Sequence, residues 1–132
     1  MMKTKKMFLI FSHALTQQQI KQAKEKFNIS EFISLPQNLQ QIWSGIDPDI
    51  ESLKETLEPI CEFLKYSAKK DDVVLVQGDF GAVCIVVRFS QENDLLPVYA
   101  TTKRNVVEYV DKNSQNVKKS IFEFRRFREY GI

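Results

Sequence analysis

Three short clusters hold the residue types best suited to chemistry: Ser12-His13, Gln77-Gly78-Asp79-Phe80-Gly81 and Thr101-Thr102-Lys103-Arg104. Together they offer hydroxyls, the chain's single histidine, a glycine-containing turn and two cations, a set suited to a phosphate-bearing ligand. Lysine meets a phosphate as a point charge, and arginine can grip one with two parallel hydrogen bonds. Histidine titrates near neutral pH and can pass a proton to a leaving group. Gly78 and Gly81 allow close backbone approach, and amides at a following helix start can bind an anion.

Each cluster also has a plainer reading. The glycine turn can be simple punctuation with Asp79 as a helix cap, Thr101–Arg104 a solvated loop, and His13 a structural histidine. Gln77–Gly81 is neither a Walker A loop nor a G-x-G-x-x-G fingerprint, so nucleotide hydrolysis and dinucleotide binding are poorly supported. Ser12 lacks the G-x-S-x-G setting of a hydrolase nucleophile, and His13 is its immediate neighbour. No His/Asp/Glu cluster has metal-ligand spacing, and no metal or other cofactor is expected.

What could bring the clusters together is their common place after apolar runs. Phe8–Phe11 precedes Ser12, Val73–Val76 precedes Gln77, and Leu96–Ala100 precedes Thr101. If these runs are parallel neighbours in an open α/β sheet, the clusters meet at the carboxyl edge, where such sheets bind ligands. Between them, Thr16 can cap a helix over Gln17–Phe27. Phe32–Leu35 reads as a short second strand stopped by Pro36, and Leu39, Ile42 and Trp43 follow at helical spacing. Asp49 is the expected cap of a long helix with its stripe on Ile50, Leu53, Leu57, Ile60, Cys61 and Leu64, bent or restarted at Pro59. Ala82–Phe89 fits a strand or a buried helix, and the helix is preferred as a crossover between parallel strands. Asn105–Val110 and Val117–Phe124 read as strands joined by the polar turn Asp111–Asn116, a C-terminal β-hairpin. The alternation from Phe122 to Tyr130 resembles a surface for single-stranded nucleic acid, but strand periodicity accounts for it as an edge strand or dimer contact.

The totals fit one domain over residues 1–132. The chain is 43% apolar and 27% charged, a globular balance. Its longest apolar stretch, Gly81–Val87, is far short of the roughly 20 residues a bilayer span needs. Met7–Phe11 behind Lys3, Lys5 and Lys6 imitates a signal peptide, but its apolar part is too short. Cys61 and Cys84 have no ligand spacing and suit reduced residues of a cytoplasmic protein. Residues 101–132 carry eight Lys/Arg against four Asp/Glu, and residues 45–72 show the reverse, four against eight. The net charge of +2 therefore hides a C-terminal segment able to attract anions.

Phe8–Thr16, Leu35-Pro36 through Trp43, Val74–Ala82, Pro97–Arg104 and Phe127–Tyr130 together resemble the small Csx accessory proteins of type III CRISPR systems, in the ring-nuclease group. The resemblance covers nearly the whole chain, and Gln77–Ala82 and Pro97–Arg104 are its specific parts. It implies a Rossmann-like (CARF-like), mainly parallel sheet flanked by helices, working as a homodimer. It also implies a cyclic oligoadenylate ligand, most of all cyclic tetra-adenylate, lying across the dimer dyad. Cutting that ring would switch off the effectors it activates.

RNA supplies its own nucleophile, the 2′-hydroxyl beside each phosphate, so a protein need only align it and stabilise the developing charge. On that expectation Lys103, supported by Arg104, stabilises charge. Ser12 with Thr101 or Thr102 orients ribose and phosphate, and His13 is the general acid. Gln77, Gly78, Asp79, Phe80 and Gly81 contact phosphate or adenine. The competing expectations are a family member that sequesters the ring without cutting it, and a general RNA-binding module using Arg125, Arg126 and Arg128. Neither a membrane nor duplex DNA is an expected partner.

Overall fold

A computed structural model describes residues 3–132. Five strands and four helices alternate for most of the chain: β1 (Lys5–Ile10), α1 (Gln17–Phe27), β2 (Ile29–Ser34), α2 (Gln37–Ser44), α3 (Lys54–Ser67), β3 (Val73–Val76), α4 (Phe80–Glu92), β4 (Leu96–Val110) and β5 (Asn116–Glu129). The sheet order is β2-β1-β3-β4-β5. The first four strands run parallel, and β5 returns antiparallel to β4.

The central strands are apolar because both faces are covered. All four residues of β3 are buried, as expected of a parallel strand between helical layers. Phe8, Ile10, Val74 and Val76 pack with residues of α2, α3 and α4 on one side. Met7, Val73, Leu75 and Val98 face the other, with Ala23 of α1 and with Phe124 and Phe127 of β5.

The expected cap of α1 is present. Thr16 accepts from the Gln19 amide while the Gln19 side chain accepts from the Thr16 amide, a reciprocal box that satisfies two orphan donors. Asn28 ends the helix at a left-handed φ of 56°. Ala82–Phe89 lies within α4, started by the Asp79 carboxylate, which accepts from the Ala82 amide at 3.0 Å. Ser90 is buried in that helix because its hydroxyl donates to the Val86 carbonyl at 2.8 Å.

Three expectations are corrected. Asp49 does not cap α3: the helix begins at Lys54 with Leu53 in the cap position, and Asp49 instead donates its amide to the Asp47 carboxylate in a local turn. Ile50 is consequently outside the helix and exposed, and α3 runs through Pro59 without restarting. The second strand begins at Ile29 rather than Phe32, since β1 offers pairing partners from Lys5 onward. Thr101–Arg104 is not a loop after a strand but the middle of the 15-residue β4.

That last correction shapes the molecule. β3 pairs with β4 only over Leu96–Val98, whereas the β4–β5 ladder continues to Val110 and Asn116. A register shift at Thr101/Thr102 leaves Arg125 as an extra residue on β5, a bulge of the kind that bends and twists a strand pair. Beyond it the two strands project past the carboxyl edge as an arm.

α1 covers the outer edge of β5 below the arm. The Gln22 side chain donates to the Arg125 carbonyl and accepts from the Phe127 amide, and Lys26 donates to the Phe127 carbonyl. Side chains thus stand in for a sixth strand, which blunts an otherwise sticky edge.

Candidate functional site

From β1 the chain turns first to β2 on one side and later to β3 on the other, so the topological switch point lies between β1 and β3. The crevice outside the carboxyl ends at such a point is the usual ligand position of an open α/β sheet. The loop after β1 carries Ser12 and His13, and the loop after β3 carries Gln77–Asp79. The Gln77 amide donates to the Ile10 carbonyl at 3.1 Å, which holds the two loop bases together.

α2 fixes the floor of this crevice. The Ser12 and Ser44 hydroxyls are 2.8 Å apart. The Gln40 side chain donates to both the Phe11 carbonyl and the Ser44 hydroxyl. Ser12 is thereby anchored yet exposed, while the exposed His13 ring packs edge-on against Phe11 with centroids 6.4 Å apart. The indole of Trp43 lies under Gly78 and donates to the Gln77 carbonyl at 3.0 Å. A Cβ on Gly78 would meet that indole at 3.0–3.1 Å, so the glycine is needed first for Trp43. A valine there would push on the indole whether or not a ligand approaches.

Gln77 closes the gap where β4 leaves β3, its side-chain oxygen accepting from the Ala100 amide at 2.7 Å. Its side-chain N–H groups remain available to a ligand. Asp79 places a carboxylate at the start of α4, where a helix dipole favours negative charge. An incoming phosphate therefore meets an anion already in place. Phe80, the first residue of α4, is 93% exposed and presents its ring beside this turn.

The third cluster joins this crevice only at its root. The Thr101 hydroxyl donates to the Arg126 carbonyl and accepts from the Arg126 amide, both within the hairpin. Thr102 lines a groove with Thr16–Gln19, where the β1 loop passes into α1, and that groove takes in neither Ser12-His13 nor the Gln77 turn. Lys103 is exposed opposite Glu123 and makes no salt bridge among the described residues. The Arg104 side chain donates through Nε to the Ser120 hydroxyl at 3.0 Å. The strand thus carries these cations up the arm rather than turning them back over β3.

Sequence reasoning missed an aromatic support beside the crevice. The Tyr130 hydroxyl donates to the Val76 carbonyl at 2.6 Å, and its ring lies 4.7 Å from that of Tyr99. Arg128 donates to the Tyr99 hydroxyl and stacks over its ring. Burial, with smaller contributions from Tyr99 and Cys84, raises the Tyr130 pKa above its ordinary value, keeping the phenol a donor. The alternating tail was the available signal: it places Arg128 on β5 opposite Tyr99. Arg125 is 3.9 Å from Glu123, so two of the three tail arginines have partners within the hairpin.

No described helix is long and apolar enough to cross a membrane. Among the described residues no three His, Cys, Asp or Glu side chains gather into a metal-holding group.

Residues 5–128 match the model of a family described as the "Uncharacterized protein MJ1673 family". The chain is 45% identical over 125 residues to "Uncharacterized protein MJ1673" of Methanocaldococcus jannaschii, covering 95% of this chain and 96% of that protein. No solved structure matches. The chain belongs to the MJ1673 family.

Proposed function

We propose that this MJ1673-family protein binds a cyclic oligoadenylate, cyclic tetra-adenylate foremost, and opens it as a ring nuclease of a type III CRISPR system. On this reading it acts in the cytoplasm as a CARF-like homodimer. The observation that carries the proposal is the meeting of Ser12-His13 and Gln77–Phe80 at the β1/β3 switch point. That edge offers a hydroxyl, a titratable ring, a free amide donor and an exposed aromatic face, one group for each part of a ribonucleotide.

In the proposed reaction the ribose 2′-hydroxyl gives its proton to water as its oxygen attacks the adjacent phosphorus, and the P–O5′ bond breaks. The product ends in a 2′,3′-cyclic phosphate. Ser12 orients the ribose, and His13 returns a proton to the departing 5′-oxygen. Lys103, carried up the arm, stabilises charge on the phosphorane where the ring reaches from the crevice to β4, while Arg104 projects from the opposite face of that strand. Gln77 donates its amide to phosphate or adenine, and the exposed Phe80 stacks a base. Thr101 acts from the hairpin by holding the root of the arm against Arg126. The partnered Arg125 and Arg128 weigh against a general RNA-binding surface on the tail.

Labelled cyclic tri-, tetra- and hexa-adenylate, incubated with excess protein and resolved by chromatography, test the reading. The expected result is linear product from one ring, undiminished by EDTA. Lys103→Ala is expected to slow single-turnover cleavage by about 10²–10³ with little loss of affinity, because a group aimed at developing charge acts in the transition state. Cleavage of the ring at the parent rate removes Lys103 from the mechanism. Tight binding with no product leaves sequestration, and no binding of any ring discards the proposal.

A further inference from the structure

The arm has four uncovered sides. Six of the ten large apolar side chains exposed among the described residues lie on it: Val106, Val107, Tyr109, Val110, Ile121 and Phe122. A two-stranded ribbon is marginal in water on its own. α1 covers the β5 edge only around Arg125–Phe127, and β3 covers β4 only as far as Val98. The β4 edge beyond Ala100 therefore has backbone groups with no strand beside them.

The direction of those groups follows from the bonds at the root of β4. The amides of Leu96 and Ala100 point away from β5, to the Asp72 carbonyl and the Gln77 side chain. The Pro97 carbonyl points toward β5 and accepts from the Tyr130 amide. The bulge residue sits on β5, so alternation along β4 is unbroken. It sends the backbone groups of Arg104, Val106 and Glu108 to the open edge.

This edge is self-complementary. An antiparallel pairing of the segment with its own copy, centred on Val106, makes Val106 face Val106 and sets each Arg104 against the other chain's Glu108. All three positions are those whose backbone groups face outward; within the hairpin Glu108 also lies 3.5 Å from Lys118 and Arg104 donates to Ser120, exposed contacts of small worth that the new pairing adds to. Centring on Asn105 sets Arg104 against Val106 and leaves its charge without a partner. Centring on Val107 sets Arg104 against Val110 and Val106 against Glu108, so neither charge meets its opposite. Centring on Glu108 sets like charges together.

We infer that the open β4 edge from Lys103 to Tyr109 is an interface for a second copy of this chain, paired antiparallel about Val106. It is an isologous contact, closed by one two-fold axis, and gives Val106, Val107 and Tyr109 cross-strand neighbours. The inference supplies the surface for the homodimer of the preceding reading, and it stands independently of the ring and its cleavage. It also gives β4 a reason to outrun β3: the extra residues are the interface.

Sedimentation equilibrium of the full chain without ligand tests this by mass alone. The parent is expected at twice 15.4 kDa. Val106→Pro removes an outward N–H without touching the β5 ladder, as proline does on edge strands, and is expected to sediment as monomer with an unchanged circular dichroism spectrum. Arg104→Glu and Glu108→Arg, made singly, each set like charges opposite one another twice per dimer. Each should raise the dissociation constant by about tenfold or more, and the double variant should restore it. A monomeric parent overturns the inference, as does a Val106→Pro dimer or a double variant no tighter than the singles. If Val106→Pro fails to fold, the charge exchange decides alone. Ring cleavage is measured separately, so loss of the dimer reading and loss of the nuclease reading give different results.

Discussion

Tyr130 illustrates how one residue outside the expected clusters can set the crevice. Its hydroxyl ties the C-terminal end of β5 to the last carbonyl of β3, immediately before the Gln77 turn. Tyr130→Phe should destabilise the fold by about 1–2 kcal/mol, the cost of losing a partly buried hydrogen bond. The substitution should also change the alkaline limb of stability. Because the folded pKa lies above the ordinary 10.0, the unfolded chain gives up this proton first. Its contribution is complete below about pH 10 and is lost as pH rises through the folded value. Half-buried Cys61, also raised by its burial, adds a loss of the same sign in both proteins, while the lowered pKa of Lys26 works in the opposite direction in both. Urea midpoints followed from neutral to strongly alkaline pH should fall more steeply for the parent than for Tyr130→Phe. Equal slopes would show that the Tyr130 phenol is no better protected folded than unfolded.

At the scale of elements, α4 poses a contest between its cap and any ligand. Asp79 stabilises the helix start but puts a negative charge where a phosphate would approach. Asp79→Asn keeps a good capping oxygen and removes the charge. It should therefore tighten cyclic tetra-adenylate several-fold in a binding titration, with little change in the thermal midpoint. Unchanged affinity would place the ring away from the α4 start. The same helix shows what periodicity can and cannot reveal. Its apolar run, Ala82–Phe89, favoured strand by residue type, and only its position between two buried strands argued for a crossover helix. Thr16 and Gln19 announced the start of α1 because a capping box is local chemistry. Asp49 misled because Asx turns and helix caps use the same side chain, and the choice depended on where α3 met the core. Ser12, His13 and Gln77 were legible at strand ends. The continuation of β4 through Thr101–Arg104 was not, since it depends on a bulge and on β5 remaining paired.

Considered whole, the molecule consists of a packed sheet and an arm that adds almost nothing to its core. No residue from Lys103 to Glu123 belongs to either hydrophobic cluster, whereas Phe124 packs 5.1 Å from Phe127. Replacing Arg104–Phe122 with a short turn should therefore shift the thermal midpoint by no more than about 4 °C, the equivalent of roughly 1 kcal/mol in a domain of this size. Phe124→Ala should cost about 3 kcal/mol, as truncating a buried aromatic does. Calorimetry of the two variants compares them directly. A large loss of stability from shortening the arm would mean that the ribbon supports the fold as well as its proposed contact.

Trp43 gives the crevice a built-in optical reporter. It is the chain's one tryptophan, buried against Gly78 and hydrogen-bonded to the carbonyl of Gln77. Selective excitation of tryptophan therefore reads the turn after β3 together with the core packed around α2. Occupancy that shifts this turn should move the emission of Trp43 in step with ring concentration, without any label on protein or nucleotide. Gly78→Ala should alter the emission before ligand is added, because its methyl group bears on the indole. The same colour change, followed by stopped flow, would time the arrival of a ring separately from its opening.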